Sequence, residues 1–370
     1  MRVVHVTSGL TRKAAGVREV VLGLAQSQCA AGMDVAVLGL DHTGSSFECQ
    51  DWRGISTRAV QVLGPDRFGY APRMTEVLHE MAPDVVHLHG LWMHPGRSVL
   101  QWHRTTGQPY IVSPHGMLSD VALSYSPLKK KAVSLWFQDA VLRRAAALHA
   151  TSDDEAKEIY ALGLRAPVCV IPNGIAEIAR PSSATHAGRI ILSLGRIHRK
   201  KALDHLILAW QRLERDFPDW SVCIAGPDEG GEADRLRTLI GEAEVQRVTI
   251  RGPIYGLEKT EVMAGAGLFA LPTHSENFAI TVAESLMLEV PVVSSQGAPW
   301  SGLESEDCGR WVPIGAPHMS DALRQMMLLT DAERRNMGAR GRAWMLRDFS
   351  WSSVVERLRR CYAIALETDR

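Results

Sequence analysis

The stretch from Leu271 to Ser295, LPTHSENFAITVAESLMLEVPVVSS, limits the fold more than any other part of the chain. It reads as a buried strand, a short polar loop, an amphipathic helix and a second strand, which is half of a nucleotide-binding α/β unit. Glu276 stands in the loop and Glu284 in the helix, eight residues further on. With about 1.5 Å per residue throughout, the two carboxylates lie roughly 12 Å apart along the axis. That span suits a nucleotide sugar laid along the helix, one carboxylate accepting hydrogen bonds from sugar hydroxyls and the other from the ribose diol. Between them Asn277, Phe278, Ala279 and Ile280 lead into the helix. Free backbone N–H groups around Phe278 to Thr281 at a helix N-terminus favour an anion such as a diphosphate.

The order of strand, loop and helix occurs twice. It opens the chain, with a strand over Arg2 to Thr7, a loop over Ser8 to Gly16 and a helix from about Val17 to Ala31. It restarts with a strand over Arg189 to Leu194, the loop Gly195-Arg196-Ile197-His198-Arg199-Lys200-Lys201 and a helix to about Asp216. A chain of 370 residues has room for two domains, each burying its own core. The fold expected is therefore α/β, two Rossmann-like domains facing each other across a cleft. The expected division is 1–178, a linker over Ile178 to Gly188, 189–349, and a final helix over 350–370 crossing back onto the first domain. The polar run from Leu40 to about Gly69 reads as loop with weak strand signals, and the chain beyond Trp311 reads as helical. The G-x-G-x-x-G spacing is absent from the first loop, so no dinucleotide cofactor is expected.

The Glu-x7-Glu spacing with its following PVVSS, the G-R-I-H-R-K-K loop, Ser113-Pro114-His115-Gly116-Met117 and Ile171-Pro172-Asn173-Gly174 occur in one chain. Together they resemble the signature of the retaining family-4 glycosyltransferases, which have the GT-B fold. The resemblance implies transfer of a sugar from a nucleotide-diphosphate donor (a GDP-, UDP- or ADP-sugar) to a hydroxyl acceptor. It implies that Glu276 binds the sugar hydroxyls, Glu284 the ribose, and Arg196 and Lys201 the diphosphate. Departure of a nucleoside diphosphate builds negative charge that fixed cations stabilise. It also implies that His115 reaches the donor sugar from the first domain, and that the strand end at Gly252 holds the nucleobase through backbone groups. A Gly-Gly pair in the first loop is Ala15-Gly16 here, and the glycine after the loop lysine is Ala202. The setting implied is bacterial polysaccharide or glycoconjugate assembly, with a glycan or lipid-linked acceptor. A nucleotide-sugar epimerase and a non-catalytic partner subunit of the same fold remain as alternatives.

Lysine plus arginine equals aspartate plus glutamate, 41 each, so no global field draws the chain to nucleic acid. Six scattered cysteines form no Cys-x-x-Cys pair, and neither a disulfide framework nor a zinc site is expected. His87 and His89 alternate onto one strand face, and without a third ligand cluster or an Asp-x-Asp pair no metal is expected. The polar turn after MRVVHVT and the lack of an 18-residue apolar run point to a cytoplasmic protein. One local patch stands out. Pro127 to Ala147, read as a single helix, carries Lys129, Lys130, Lys131, Arg143 and Arg144 against Asp139 alone, with Trp136 and Phe137 among them. A basic helix with aromatic residues can lie against an anionic membrane, here its inner face.

Overall fold

The computed structural model describes residues 1–11, 15–42, 52–181 and 188–368. Most of the expected linker, and Cys49, lie outside these residues. The chain forms two compact units, Met1–Ala176 with Trp351–Arg370, and Glu177–Ser350.

The first unit is built on seven strands: β1 (Arg2–Thr7), β2 (Asp34–Asp41), β3 (Ser56–Gln61), β4 (Val85–His89), β5 (Tyr110–Ser113), β6 (Ala147–Ala150) and β7 (Val168–Val170). They pair in parallel in the order β3-β2-β1-β4-β5-β6-β7. Central strands are buried on both faces, which is why they read as short continuous apolar runs. The helix Trp351–Thr368 belongs to this unit. Its Val354, Leu358, Tyr362 and Ala365 pack with Val3, Leu24, Val85 and Ile111 in one buried cluster. Trp351 fills the space left by two glycines, since a Cβ on Gly23 or on Gly174 would meet its ring at 2.2 Å.

The second unit carries β8 (Ile190–Leu194), β9 (Ser221–Ala225), β10 (Val248–Arg251), β11 (Leu268–Leu271), β12 (Val292–Ser295) and β13 (Gly309–Val312). Their parallel order is β10-β9-β8-β11-β12-β13. Both sheets thus reverse direction beside their first strand, and ligands bind such sheets at the carboxyl ends flanking that reversal. In the second unit those ends are the loops after β8 and β11, the two loops singled out by their sequence.

Four expectations are corrected. β3 and β13 are strands, whereas the sequence up to Gly69 reads as loop and that beyond Trp311 as helix; both lie at a sheet edge and pair on one side only. Gly16 is the second residue of the helix Ala15–Ala30, not part of a loop, because that helix starts two residues earlier than its apolar pattern. The helix expected over Pro127 to Ala147 ends at Arg143 and is not α-helical throughout. Pro127–Val133 is helical, Ser134–Gln138 widens into a π-turn, Asp139–Arg143 resumes the helix, and Ala147 already starts β6. Finally, only residues from Ile280 onward are helical, so the rise of 1.5 Å per residue does not apply between Glu276 and Ala279 and the 12 Å separation loses its basis.

Candidate active site

Two loops meet at the carboxyl ends of β8 and β11. The first runs Gly195 to Ala202, closed by a 3₁₀ turn over Arg199–Lys201 in which the His198 ring accepts from the Lys200 N–H at 3.1 Å. Ala202 follows in the left-handed region at φ 48°, a conformation that glycine adopts at least cost. The second loop is stitched to the first: His274 N–H donates to Lys200 O at 2.9 Å, and the buried Thr273 hydroxyl reaches the same oxygen at 3.0 Å. The Glu276 N–H donates to Gly297 O at 2.7 Å. Gly297 allows this approach, because a Cβ there would sit 2.2 Å from Thr273 O.

These constraints bring Lys201 and Glu276 together, Nζ to Oε1 at 2.7 Å, with both side chains about 15% exposed (16% and 15%). Arg196 and Lys201 line one recess with Ser193, Gly195, Ile224 and Leu271. Arg196 does not join the Lys201–Glu276 pair. Its guanidinium, largely exposed, lies on Glu229 at 3.0 and 3.1 Å.

A second ion pair is formed by Glu284, one turn into the helix Ile280–Met287. Glu284 Oε1 accepts from Lys259 Nζ at 2.6 Å, while its Oε2 is buried without a hydrogen-bond partner among the described residues. A buried carboxylate oxygen left open costs about 1–3 kcal/mol, a cost that a ligand donor removes. Lys259, on the helix Gly256–Ala264, had no sequence signal; a lone lysine in a polar helix is ordinary.

Between the pairs, Phe278 is buried against the Trp300 and Phe349 rings at 5.2 and 6.1 Å, and its carbonyl accepts from Trp300 Nε1 at 2.5 Å. Ala279 is left-handed at φ 62°, turning the chain into the helix Ile280–Met287. The Ile280 side chain is exposed, so only its backbone stands at the helix start. Asn277 lies in the same loop, half-buried. Gly252 follows the edge strand β10 and is exposed.

In the first unit, Gly16 is exposed, with open space where a side chain would stand. His115 and Gly116 follow β5 with φ values of 55° and 74°, two consecutive left-handed residues. Buried Glu155 fixes that turn by accepting from the Gly116 N–H at 2.6 Å and, through its other oxygen, from Thr151 N–H and hydroxyl at 2.7 Å. Glu155 was missed because its sequence context reads as an ordinary capped helix start. The absence of a third ligand beside His87 and His89 is also corrected: β1 pairs His5 directly with His87, and the His89 ring stacks on both His5 and His87. Burial lowers His5 to about 4 and holds His87 and His89 well below the ordinary histidine range.

Two parallel sheets of this order, with one Lys–Glu pair at the strand ends and a second between two helices of the same unit, have the form of a GT-B glycosyltransferase. The chain belongs to the family-4-like glycosyltransferases: residues 15–174 match the "Glycosyl transferase 4-like domain" and residues 175–344 the "Glycosyl transferases group 1" domain. Among relatives, the GDP-mannose:cellobiosyl-diphosphopolyprenol alpha-mannosyltransferase of Xanthomonas oryzae pv. oryzae is 28% identical over 96% of this chain and 95% of its own. The glycogen synthase of Mycobacterium tuberculosis is 29% identical over 78% of this chain and 70% of its own. In structure, Anabaena HepE bound to UDP superposes with a TM-score of 0.78 at 15% identity, covering 98% of this chain and all of that one (100%). The sucrose-phosphate synthase of Thermosynechococcus elongatus gives 0.76 at 18% identity, covering 98% of both chains.

Proposed function

We propose that the chain is a retaining, metal-independent hexosyltransferase that takes its sugar from a GDP-sugar, with GDP-mannose the first donor to test, and delivers it to a lipid-linked glycan. The observation that carries the donor reading is the open, buried Oε2 of Glu284, one turn into the helix Ile280–Met287, with Lys259 neutralising the other oxygen. Glu284 takes the ribose diol, Lys201 and Arg196 the diphosphate, and Glu276 the sugar hydroxyls. The backbone of Asn277 to Ile280 faces the phosphates, and Gly252 lies at the base. His115 contacts the sugar and Gly16 gives close backbone approach. The relative from Xanthomonas, matched along nearly its whole length, is named for GDP-mannose and a polyprenol-linked acceptor, which supports this choice.

Metal independence rests on the chemistry of the loop: two cations stand where leaving-group charge develops, and no Asp-x-Asp pair occurs in the sequence. Retention rests on the family likeness. No helix among the described residues is long and apolar enough to cross a membrane. Contact with a lipid-linked acceptor is assigned to the surface around Pro127–Val133, where Tyr125, Leu128, Leu135 and Trp136 are exposed together with Lys129 and Lys131. That surface would rest peripherally on the inner face of the membrane.

Calorimetric titration with GDP, UDP and ADP, then with GDP-mannose, tests the donor reading. Preferred binding of GDP and of GDP-mannose supports it, and no heat with any of the nucleotides contradicts it. The anomeric configuration of the product, read by NMR, tests retention.

A further inference from the structure

The nitrogens of His5, His87 and His89 come within 4.8 Å of one another, close enough to suggest a metal trio. All six ring nitrogens are, however, already hydrogen-bonded. Those bonds join Gln28, Tyr362, Ser113, His149 and His115 into one chain, and the proton positions along it follow from its far end.

The Ile171 carbonyl can only accept, so His149 Nε2 donates to it at 2.7 Å. In a neutral ring Nδ1 then accepts, and the Ser113 hydroxyl donates to it at 2.7 Å. Ser113 Oγ therefore accepts from His87 Nε2 at 2.7 Å, and His87 Nδ1 accepts from the Tyr362 hydroxyl at 2.9 Å. The Tyr362 oxygen accepts from Gln28 Nε2 at 3.0 Å, and Gln28 Oε1 accepts from His5 Nε2 at 2.7 Å. His5 Nδ1 accepts from His89 Nε2 at 2.9 Å, and His89 Nδ1 accepts from His115 Nε2 at 3.0 Å. Each hydrogen bond along the chain then has one donor and one acceptor, with one proton per ring. Burial, which disfavours charge on each of the five histidines, keeps the rings neutral.

We propose that this relay locks His115 in one neutral tautomer, Nε2–H given to His89 and Nδ1 presented as a bare acceptor, which makes Gln28, His5 and His89 positioning residues for the transferred sugar. The inference rests on the assignment of His115 to that sugar. A bare ring nitrogen accepts from a hydroxyl and repels a carboxylate oxygen, so the sugar it meets is neutral and hydroxylated at the contacted position. A uronic acid with its carboxylate there is rejected.

The test is ¹⁵N NMR of histidine-labelled protein, with the His115 signals assigned by their loss in His115→Asn. The wild type is expected to show His115 protonated on Nε2 and bare on Nδ1. Gln28→Met removes the acceptor for His5 Nε2–H; the half-chain from His5 to His115 then reverses, since a buried N–H without a partner is disfavoured. His115 Nδ1 gains a proton, and kcat/KM for GDP-mannose falls about fivefold or more while the Kd of GDP is unchanged. His5→Phe produces the same reversal and is the second variant should Gln28→Met not fold. His115 protonated on Nδ1 in the wild type, or an unchanged tautomer in both folded variants, overturns the relay. A locked tautomer with full turnover in His115→Asn overturns the sugar contact instead.

Discussion

Lys201 Nζ lies 2.7 Å from Glu276 Oε1, so the cation assigned to the diphosphate and the acid assigned to the sugar neutralise one another when no donor is bound. An incoming diphosphate can share Lys201, and the Glu276 carboxylate still keeps the Thr273 hydroxyl within 3.2 Å. The pair thus presents its charges without leaving either side chain isolated in a site that is mostly closed to water.

Lys201→Ala removes a cation from the place where leaving-group charge develops. Turnover is expected to fall on the order of 10²-fold or more, with the fold retained. Turnover within about threefold of the wild type, in a protein that melts at an unchanged temperature, removes Lys201 from the chemistry.

Acid should destabilise the first unit early. The buried histidines have pKa values lowered by burial from an ordinary 6.5, His5 to about 4. Above pH 6.5 both folded and unfolded chains hold them neutral, and nothing is lost. As pH falls below that value the unfolded chain gains protons that the folded one refuses. Stability then declines by up to about 1.4 kcal/mol per pH unit for each such histidine until the folded rings protonate. Denaturant unfolding between about pH 7.5 and 5 measures the slope, and a midpoint independent of pH over that range contradicts the prediction.

Membrane contact is expected to be electrostatic with an apolar component. Trp136, 57% exposed, stacks on Phe68 at 5.9 Å beneath the Arg97 guanidinium, whereas Phe137 is buried in the core. Lys130 turns back, its ammonium bonded to Ala122 O and set over the Trp92 ring, leaving Lys129 and Lys131 as the exposed lysines of the trio. Each exposed cation near an anionic surface contributes about 1 kcal/mol. Sedimentation with anionic vesicles at low salt should capture the wild type and lose it when Lys129 and Lys131 become Glu. A wild type wholly in the supernatant removes the lipid surface from the account and favours a soluble acceptor.

The donor half was the most legible part of the sequence, because its residues lie in two short runs, each following a central apolar strand. Glu276 and Lys201 are far apart in the chain, yet each motif carries its own strand end, and strand ends at a sheet reversal converge. Lys259 and Glu155 were not legible: each acts through one partner remote in sequence, on a helix whose pattern says only that one face is exposed. The histidine relay was half legible. The alternation of His87 and His89 was plain, but His5, Gln28 and Tyr362 reach them only through strand pairing and helix packing. Edge strands β3 and β13, paired on one side only, lacked the continuous apolar run that marked the central strands.

The division of labour between the two glutamates tests the donor account most directly. Isothermal titration of GDP and GDP-mannose into wild type, Glu276→Ala and Glu284→Ala reads it in a single experiment. Glu284→Ala should weaken both ligands, each by about tenfold or more, because the ribose is common to both and loses a charged hydrogen-bond partner. Glu276→Ala should weaken GDP-mannose and spare GDP. Equal losses for both ligands in both variants would contradict the assignment of one carboxylate to the ribose and the other to the sugar.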